Sequence, residues 1–351
     1  MILTIIAFIV IFGTLVTAHE LGHFLLAKKN GIRVNEFFIG MGPTLIKKQK
    51  GDTLFSLKLL PIGGACVFEG EDGVYDSDTS KEIPSDSFQS ASVWGRISCV
   101  LAGPIFNIIL AFFLSLILIG MTGSDKTTID TVMEGYPAAE AGILAGDTIK
   151  SLNGEKIQLY REITLFSFFN QGETVTVTYE RDGISHQAII TPRYSEETGT
   201  YLFGFQGGTY VEPKGFEVIE YAYYEVRYSL ISTVKSLVMM IQGKVSKDDV
   251  AGPVGMAVFI DDAIEATSPY GTKYVILTMV NIAILLSVNL GVLNLLPIPA
   301  LDGGRLVFLL LEAVRGKPIS PEREGVVHFI GFVALMVLMG FIVINDLSRI
   351  F

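Results

Sequence analysis

Hydrophobic residues in this 351-residue chain are concentrated in four long stretches with polar residues between them. A transmembrane helix needs about 20 mostly apolar residues. The stretches span residues 2–27, 97–121, 274–296 and 326–344. No Lys or Arg precedes the first one, which is typical of an uncleaved helix and not of a signal peptide. We therefore predict a polytopic α-helical membrane protein with four transmembrane helices.

The basic residues predict which ends of these helices face the cytoplasm. Cytoplasmic loops carry an excess of Lys and Arg close to the helix ends. Such residues follow the first stretch and separate the third from the fourth: Lys28, Lys29, Arg33, Lys47, Lys48, Lys50 and Lys58, then Arg305, Arg315, Lys317 and Arg323. Both links are predicted to be cytoplasmic, which places both termini and the long region between the second and third helices outside the cytoplasm.

That long region contains the pattern of a small α+β domain. Residues 173–180 alternate apolar and polar side chains, Asp182-Gly183 predicts a hairpin turn, and a returning strand follows at 185–191. A strand at 148–152 and helices at 138–141 and from about 161 precede them. The segment GYPAAEAGILAGDTIKSLNGEKI resembles the core of PDZ domains associated with bacterial proteases. Such domains bind peptides by strand addition; the alternative is a small domain that only spaces two helices.

These patterns divide the chain into four parts. Residues 1–122 hold helices 1 and 2, and 123–194 form the PDZ-like domain. Residues 195–272 form a connector with a surface helix at 217–242, for which a fifth span is the alternative, and 273–351 hold helices 3 and 4. The acidic stretch 69–86 is interpreted as a mobile cytoplasmic loop.

Composition excludes some classes of function. Only 18% of residues are charged and the net charge is −10, which argues against a disordered or nucleic-acid-binding chain. Two cysteines, Cys66 and Cys99, do not make a disulfide scaffold.

The candidate chemistry begins with His19-Glu20-Leu21-Gly22-His23, an H-E-x-x-H motif in the continuation of the first helix. Residues i and i+4 share a helix face, so both imidazoles can bind one metal ion, and Glu20 is placed to accept a proton from water. Ionisable residues at a transmembrane segment are costly and are functional by default. A catalytic zinc site needs a third protein ligand.

Asp302 is the preferred third ligand because of its surroundings, while His328 stays open as an alternative. Pro297 and Pro299 break the third helix at membrane depth, and the carbonyls they free fit a backbone that lines a cavity. Asp302 follows at once, before a helix predicted at 306–314. Asp302 could also cap that helix.

Together, the H-E-x-x-H motif, the later Asn-x-x-Pro-x-Pro-x-x-Leu-Asp-Gly-Gly motif and the intervening PDZ-like domain resemble the bacterial site-2 proteases. These are intramembrane zinc metalloproteases of regulated intramembrane proteolysis. The resemblance implies that His19, His23 and Asp302 bind Zn²⁺ and that Glu20 is the general base. It also implies a membrane-associated β segment between helices 1 and 2, and substrate contacts at Asn289, Asn294 and this segment with Gly63 and Gly64. Asn107 and Pro297 match the family pattern as structural residues with a further candidate role at the substrate.

The residues alone leave the two substrate asparagines open, since Asn289 and Asn294 could equally form hydrogen bonds between helices. The function that the resemblance implies is cleavage of transmembrane segments of single-span proteins, such as anti-sigma factors or signal-peptide remnants, in a bacterial plasma membrane. The alternative is a non-proteolytic metal-binding scaffold or transporter that uses the PDZ-like domain for assembly.

Overall fold

The computed structural model describes residues 2–70, 84–245 and 251–350. Most of the predicted acidic loop therefore lies outside the described residues. The chain forms two compact units. Met1–Leu114 and Leu237–Phe351 make up one, called the helical unit below, and Ser115–Ser236 make up the other, called the inserted unit.

The described residues form nine α-helices. They are α1 (Ile2–Lys29), α2 (Val93–Thr122), α3 (Pro137–Glu140), α4 (Tyr160–Phe169), α5 (Phe216–Ile241), α6 (Pro253–Thr267), α7 (Thr272–Asn294), α8 (Asp302–Arg315) and α9 (Pro321–Ile350).

Four of these helices are long and apolar enough to cross a membrane: α1, α2, α7 and Glu322–Arg349 of α9. The structure thus has four candidate membrane-spanning helices at the predicted positions. The connector also contains a helix, α5, where one was predicted, and it is not among the candidate spans in the described part of the chain. The location of α5 at the membrane surface stays a prediction. Helix α6 was not predicted.

A long β-hairpin follows α1 and consists of β1 (Val34–Lys50) and β2 (Thr53–Phe68). Its register shows that both strands bend. Residues 36–39 of β1 pair with 64–67 on one side and with 54–57 on the other, and 46–50 pair with 53–57. The resulting order of segments is 46–50, 53–57, 36–39 and 64–67. The last segment of β2 therefore forms an edge of this sheet.

Two apolar clusters hold the helical unit together. One joins the end of α1 and the hairpin to α2 and α8, through residues such as Ala27, Phe37 and Val100. The other joins α1, α6 and α7, through residues such as Leu15, Ile260 and Ile282. Burial of apolar surface against α6 explains why this moderately apolar helix forms where sequence periodicity did not reveal it.

The inserted unit contains ten strands, four of which form a central sheet. The ten strands are β3 (Ser124–Asp125), β4 (Ile129–Val132), β5 (Thr148–Leu152), β6 (Glu155–Lys156), β7 (Val175–Arg181), β8 (Ile184–Ile190), β9 (Arg193–Ser195), β10 (Thr200–Leu202), β11 (Phe205–Gly207) and β12 (Tyr210–Val211). The central sheet has the order β6-β5-β7-β8, and the pairs β3–β12, β4–β11 and β9–β10 are separate.

The predicted hairpin at Asp182-Gly183 is confirmed, since β7 pairs with β8 in antiparallel register. Asp182 and Gly183 both have positive φ, as a two-residue hairpin turn requires, and so do Asn153 and Gly154. The alternating side chains of β7 place Val175 and Val177 in a core shared with α4.

Candidate metal centre

Helix α1 carries both histidines of the H-E-x-x-H motif on one face. His19, Glu20 and His23 are all buried, with at most 9% of each residue exposed. The two Nε2 atoms lie 3.2 Å apart, and the imidazole rings meet edge to face. The spacing of i and i+4 on a helix thus brings two potential metal ligands to one point.

Helix α8 brings Asp302 to the same point. Asp302 Oδ2 lies 3.1 Å from His19 Nε2 and 3.5 Å from His23 Nε2. Burial by itself raises the pKa of Asp302, but the two imidazoles outweigh it and hold the pKa below its usual range. Asp302 is therefore a carboxylate, as a metal ligand must be.

The start of α8 differs from the prediction. The helix begins at Asp302 itself and not at Leu306, and Leu301 occupies the N-cap position without a side-chain hydrogen bond. Asp302 is thus the first helical residue, and its carboxylate is directed at the histidines and does not cap the helix. The capping interpretation was wrong because the backbone turns into the helix earlier than the apolar pattern suggested.

The glycine pair after Asp302 is required by close packing. A Cβ on Gly303 would meet the carbonyl oxygens of Leu295 and Leu296, and a Cβ on Gly304 would lie 2.9 Å from Cα of Pro299. The two glycines let the first turn of α8 lie flat on the proline-containing loop 295–301. Neither glycine has positive φ, so the pair is explained by close packing and not by an unusual backbone conformation.

The spacing of the three ligand atoms fits a zinc ion. Zn–N and Zn–O bonds of about 2.0–2.2 Å in tetrahedral geometry place ligand atoms about 3.3 Å apart. The three separations here are 3.1, 3.2 and 3.5 Å. Asp302 Oδ2 is also shielded from solvent without a well-formed hydrogen bond to any described residue. Electron-pair donors gathered this closely repel one another unless a cation or protons lie between them.

Helix α2 packs directly against the two histidines. His23 Nδ1 lies 2.9 Å from the carbonyl oxygen of Cys99, and His19 Nδ1 lies 3.1 Å from Asn107 Nδ2. Between these contacts Gly103 lies against both rings, and its Cβ would be 2.8 Å from His19 Cε1. Residues 99, 103 and 107 are four apart and share one face of the helix.

Glu20 lies beside the edge of the hairpin sheet. A Cβ on Gly64 would be 3.3 Å from Glu20 Cγ and 2.9 Å from the carbonyl oxygen of Phe38. Glu20, Gly64 and Cys66 line one cavity of about 770 Å³ together with His19, His23 and Asp302. The general-base candidate and residues 64–66 of β2 therefore face the same space as the candidate metal ligands.

The other predicted substrate and structural residues lie away from the ligand cluster and its cavity. Asn289 and Asn294 are half-buried on α7, Pro297 is exposed, and Gly63 has positive φ beside Met41. Among the described residues, none of these four lines the 770 Å³ cavity. The substrate role of these residues stays a prediction.

The two remaining histidines lie outside the cluster. His328 Nδ1 accepts a hydrogen bond of 2.9 Å from the N–H of Ala300, whose φ of 74° is unusual for a residue other than glycine. His328 thus anchors the loop before Asp302 to α9, and it lines the cavity without joining the ligand atoms. His186 belongs to the inserted unit and stacks on Tyr179.

The sequence of residues 7–338 matches peptidase family M50. The chain belongs to peptidase family M50. This confirms the family predicted from the two motifs, together with the prediction of a zinc-dependent metalloendopeptidase of intramembrane proteolysis.

Similar proteins from this family match the chain end to end. Zinc metalloprotease RasP of Bacillus licheniformis is 32% identical over 424 aligned positions, which cover 99% of both chains. Regulator of sigma-W protease RasP of Bacillus subtilis is 32% identical over 432 positions, again with 99% of both chains covered. A Clostridium acetobutylicum protein, named provisionally as a zinc metalloprotease, is 36% identical over 342 positions, covering 97% of this chain and 96% of its own. These relatives do not favour a scaffold or a transporter.

Solved structures similar to part of the chain include PDZ domains of SdrC-like proteins. The one from Listeria innocua is 23% identical and covers 25% of this chain and 100% of its own, with a TM-score of 0.23. The one from Listeria monocytogenes is 23% identical and covers 24% and 87%, with a TM-score of 0.21. TM-scores this low do not establish a shared fold, and the PDZ-like nature of the inserted unit stays a prediction.

Two residues of the M50 site have roles that the sequence analysis did not reveal. Cys99 acts through its backbone carbonyl, which no side-chain motif can reveal. Gly103 acts through the absence of a side chain, and only the packing of α2 on α1 shows this.

Proposed function

We propose that this M50 peptidase holds Zn²⁺ with His19, His23 and Asp302 and uses Glu20 as the general base to hydrolyse peptide bonds within transmembrane segments. The convergence of the three ligand atoms at 3.1–3.5 Å, in one cavity with Glu20, carries the proposal. All three ligands are of the hard or borderline type that zinc prefers.

The chemistry is divided between the metal and Glu20. A zinc ion at this cluster supplies Lewis-acid character, which makes water more acidic and polarises a carbonyl group. The Glu20 carboxylate accepts the proton that water loses as its oxygen attacks the peptide carbon. Glu20 then gives this proton to the amine nitrogen as the C–N bond breaks.

The substrate must present an extended backbone at this site. The amides of a transmembrane helix are hydrogen-bonded to one another, so that a peptide bond becomes accessible only where the helix unwinds. The 64–67 edge of the hairpin sheet offers backbone groups to an extended segment, by strand addition. This supports single-span membrane proteins as substrates, with Asn289 and Asn294 as candidate contacts.

The proposed orientation of the protein in the membrane rests on the Lys and Arg residues near the ends of its helices. The bacterial membrane location follows from the four spans and from the RasP relatives. We further propose a cytoplasmic-side active site, with both termini and the inserted unit outside the cytoplasm. In this arrangement the PDZ-like unit excludes substrates with bulky outer domains, so that trimmed proteins are cleaved. The name of the Bacillus subtilis relative, a regulator of sigma-W protease, supports anti-sigma factors as substrates. Signal-peptide remnants are the second candidate substrates, because each is also a single membrane-spanning segment.

The decisive experiment compares Glu20→Gln with the unchanged protein in detergent. Zinc content measured by metal analysis should stay near one per chain, because Glu20 is not a ligand, while cleavage of a single-span model substrate should fall about 10²–10⁴-fold. Glu324→Gln is the matched control, since Glu324 lines the same cavity away from the ligand cluster.

Unchanged cleavage by the Glu20→Gln protein would refute the assignment of the general base. A protein purified without zinc that neither binds added zinc nor cleaves the substrate would refute the proposed metal site.

A further inference from the structure

Asn107 is completely buried on α2, and its side chain is directed at the candidate zinc ligand His19. Asn107 Nδ2 lies 3.1 Å from His19 Nδ1, while Asn107 Oδ1 is buried with no partner among the described residues. A polar side chain that is fully shielded from water is costly unless it is paired. The contact with His19 is therefore the interaction that accounts for an asparagine at this position.

The neighbouring helix α7 fixes the position of Asn107. Ser287 Oγ donates a hydrogen bond of 2.7 Å to the backbone carbonyl of Asn107, and Ser287 is itself fully buried. Gly291 approaches the same turn, since its Cβ would lie 2.9 Å from the carbonyl oxygen of Pro104 and 3.6 Å from Asn107 Cβ. The amide group can rotate about its last torsion angle, but its location beside His19 Nδ1 is set by this packing.

The tautomer of His19 decides whether it can bind a metal. A neutral imidazole carries one proton, and Nε2 can bind zinc only when that proton sits on Nδ1. The amide nitrogen of Asn107 donates to an unprotonated Nδ1, which leaves the proton on Nε2. A half-turn of the amide exchanges its oxygen and nitrogen, and the oxygen then accepts a proton from Nδ1.

His23 shows the arrangement that the metal requires. Its Nδ1 lies 2.9 Å from the Cys99 carbonyl, which is only an acceptor, so His23 carries its proton on Nδ1 and directs an electron pair from Nε2 into the cluster. Residues 99 and 107 flank Gly103 on the same face of α2. One helix thus places a backbone carbonyl beside one histidine and the side-chain amide of Asn107 beside the other.

We propose that Asn107 is a positioning residue for zinc: its side-chain oxygen accepts the Nδ1 proton of His19 and so holds the Nε2 electron pair towards the ion. This inference rests on the proposed function. Groups that hydrogen-bond to metal-bound histidines typically change metal affinity by 10–100-fold when they are removed.

The test measures zinc affinity by chelator competition on the full-length protein in detergent. Asn107→Leu, which has a similar volume but no acceptor, should weaken zinc binding about 10–100-fold. Asn107→Asp, which can only accept, should stay within about threefold of the unchanged protein and restore what the leucine variant loses. In the cobalt-substituted protein, the visible absorption bands should shift in the leucine variant and be retained in the aspartate variant.

Ser115→Ala is the matched control, because it removes another fully buried polar side chain of α2, two turns away from Asn107. It should leave zinc affinity within about threefold of the unchanged protein, as Ser115 lies away from both histidines. Size-exclusion chromatography and helix content of the zinc-free proteins show whether each variant folds. Asn107→Ala, which adds no bulk, takes the place of the leucine variant if that variant does not fold.

Two outcomes would overturn the inference. Zinc affinity unchanged in the leucine or alanine variant would show that Asn107 does not act on His19. An aspartate variant as weak as the leucine variant would show that the amide nitrogen, and not the oxygen, is the working partner. In both cases zinc binding by the unchanged protein would leave the proposed function intact, whereas no zinc binding at all would refute that function first.

Discussion

His19 Nε2 and Asp302 Oδ2 lie 3.1 Å apart, although most of the chain separates the two residues in sequence. This contact joins the first span to the helix that follows the third one. It turns a pair of histidines into a three-ligand cluster, which is the number of protein ligands that a catalytic zinc site uses.

Replacing Asp302 with Ala should lower zinc affinity by more than about 100-fold, since even partners outside the metal's direct contacts change affinity by 10–100-fold. Chelator competition measures this loss. Asp262→Ala removes an exposed carboxylate on α6 and should have no effect. Retained zinc after Asp302→Ala would mean that another residue is the third ligand, and His328, which lines the same cavity, would be the first to examine.

Replacing Gly303 with Ala should displace Asp302, because the new methyl group would meet the carbonyl oxygens of Leu295 and Leu296. Overpacking of this kind typically costs about 1–3 kcal/mol. We expect a lower unfolding temperature and at least a tenfold loss of zinc affinity. Gly340→Ala on α9 meets nothing within 4 Å and should keep both values. Equal behaviour of the two variants would contradict the packing role of Gly303.

Replacing Gly64 with Val should reduce cleavage at least tenfold while zinc content stays unchanged. A side chain there would press on Val16, whose Cγ1 would lie 2.8 Å from the Cβ, and on Glu20, but not on a metal ligand. Parallel metal analysis and cleavage of a single-span substrate separate the two effects. Gly13→Ala on α1 meets nothing within 4 Å and serves as the control. Loss of zinc from the Gly64 variant would show that the hairpin supports the ligands as well.

Asp147 should stabilise the inserted unit in a pH-dependent way. Its carboxylate accepts two hydrogen bonds of 2.7 Å from Arg181 and one of 2.8 Å from the N–H of Leu144. Burial raises the pKa of Asp147, but these hydrogen bonds outweigh it and lower the pKa. Because the folded-state pKa lies below the unfolded value of about 3.9, the stabilisation is complete above that pH and is lost as the pH falls through the folded-state pKa.

Asp147→Asn should therefore cost about 1.5–3 kcal/mol at neutral pH, the range for hydrogen bonds to charged groups. Hydrogen exchange of β5 and β7 in the full-length protein measures it. Lys150→Met breaks the half-exposed pair with Glu180 and should cost less than about 1 kcal/mol. An Asp147 variant no less stable than the Lys150 variant would contradict the role of this ion pair.

The sequence by itself determined the features with a strong local signal, in periodicity or in composition. Spans long enough for a bilayer are defined by their apolar length, and the two-residue turn at Asp182-Gly183 by its residue types. The convergence of His19 and His23 follows from 3.6 residues per turn, a property of any α-helix. These predictions needed no knowledge of what packs against what.

Tertiary structure alone decided which group completes the site and how it is held. Sequence left Asp302 and His328 as alternatives, and packing of α8 on the proline loop directs Asp302 at the histidines while His328 binds the backbone of Ala300. The Cys99 carbonyl, the bare surface of Gly103 and the amide of Asn107 meet the imidazoles only because α2 approaches α1 closely. Such contacts depend on distances between elements that are far apart in sequence, which residue types and their spacing do not encode.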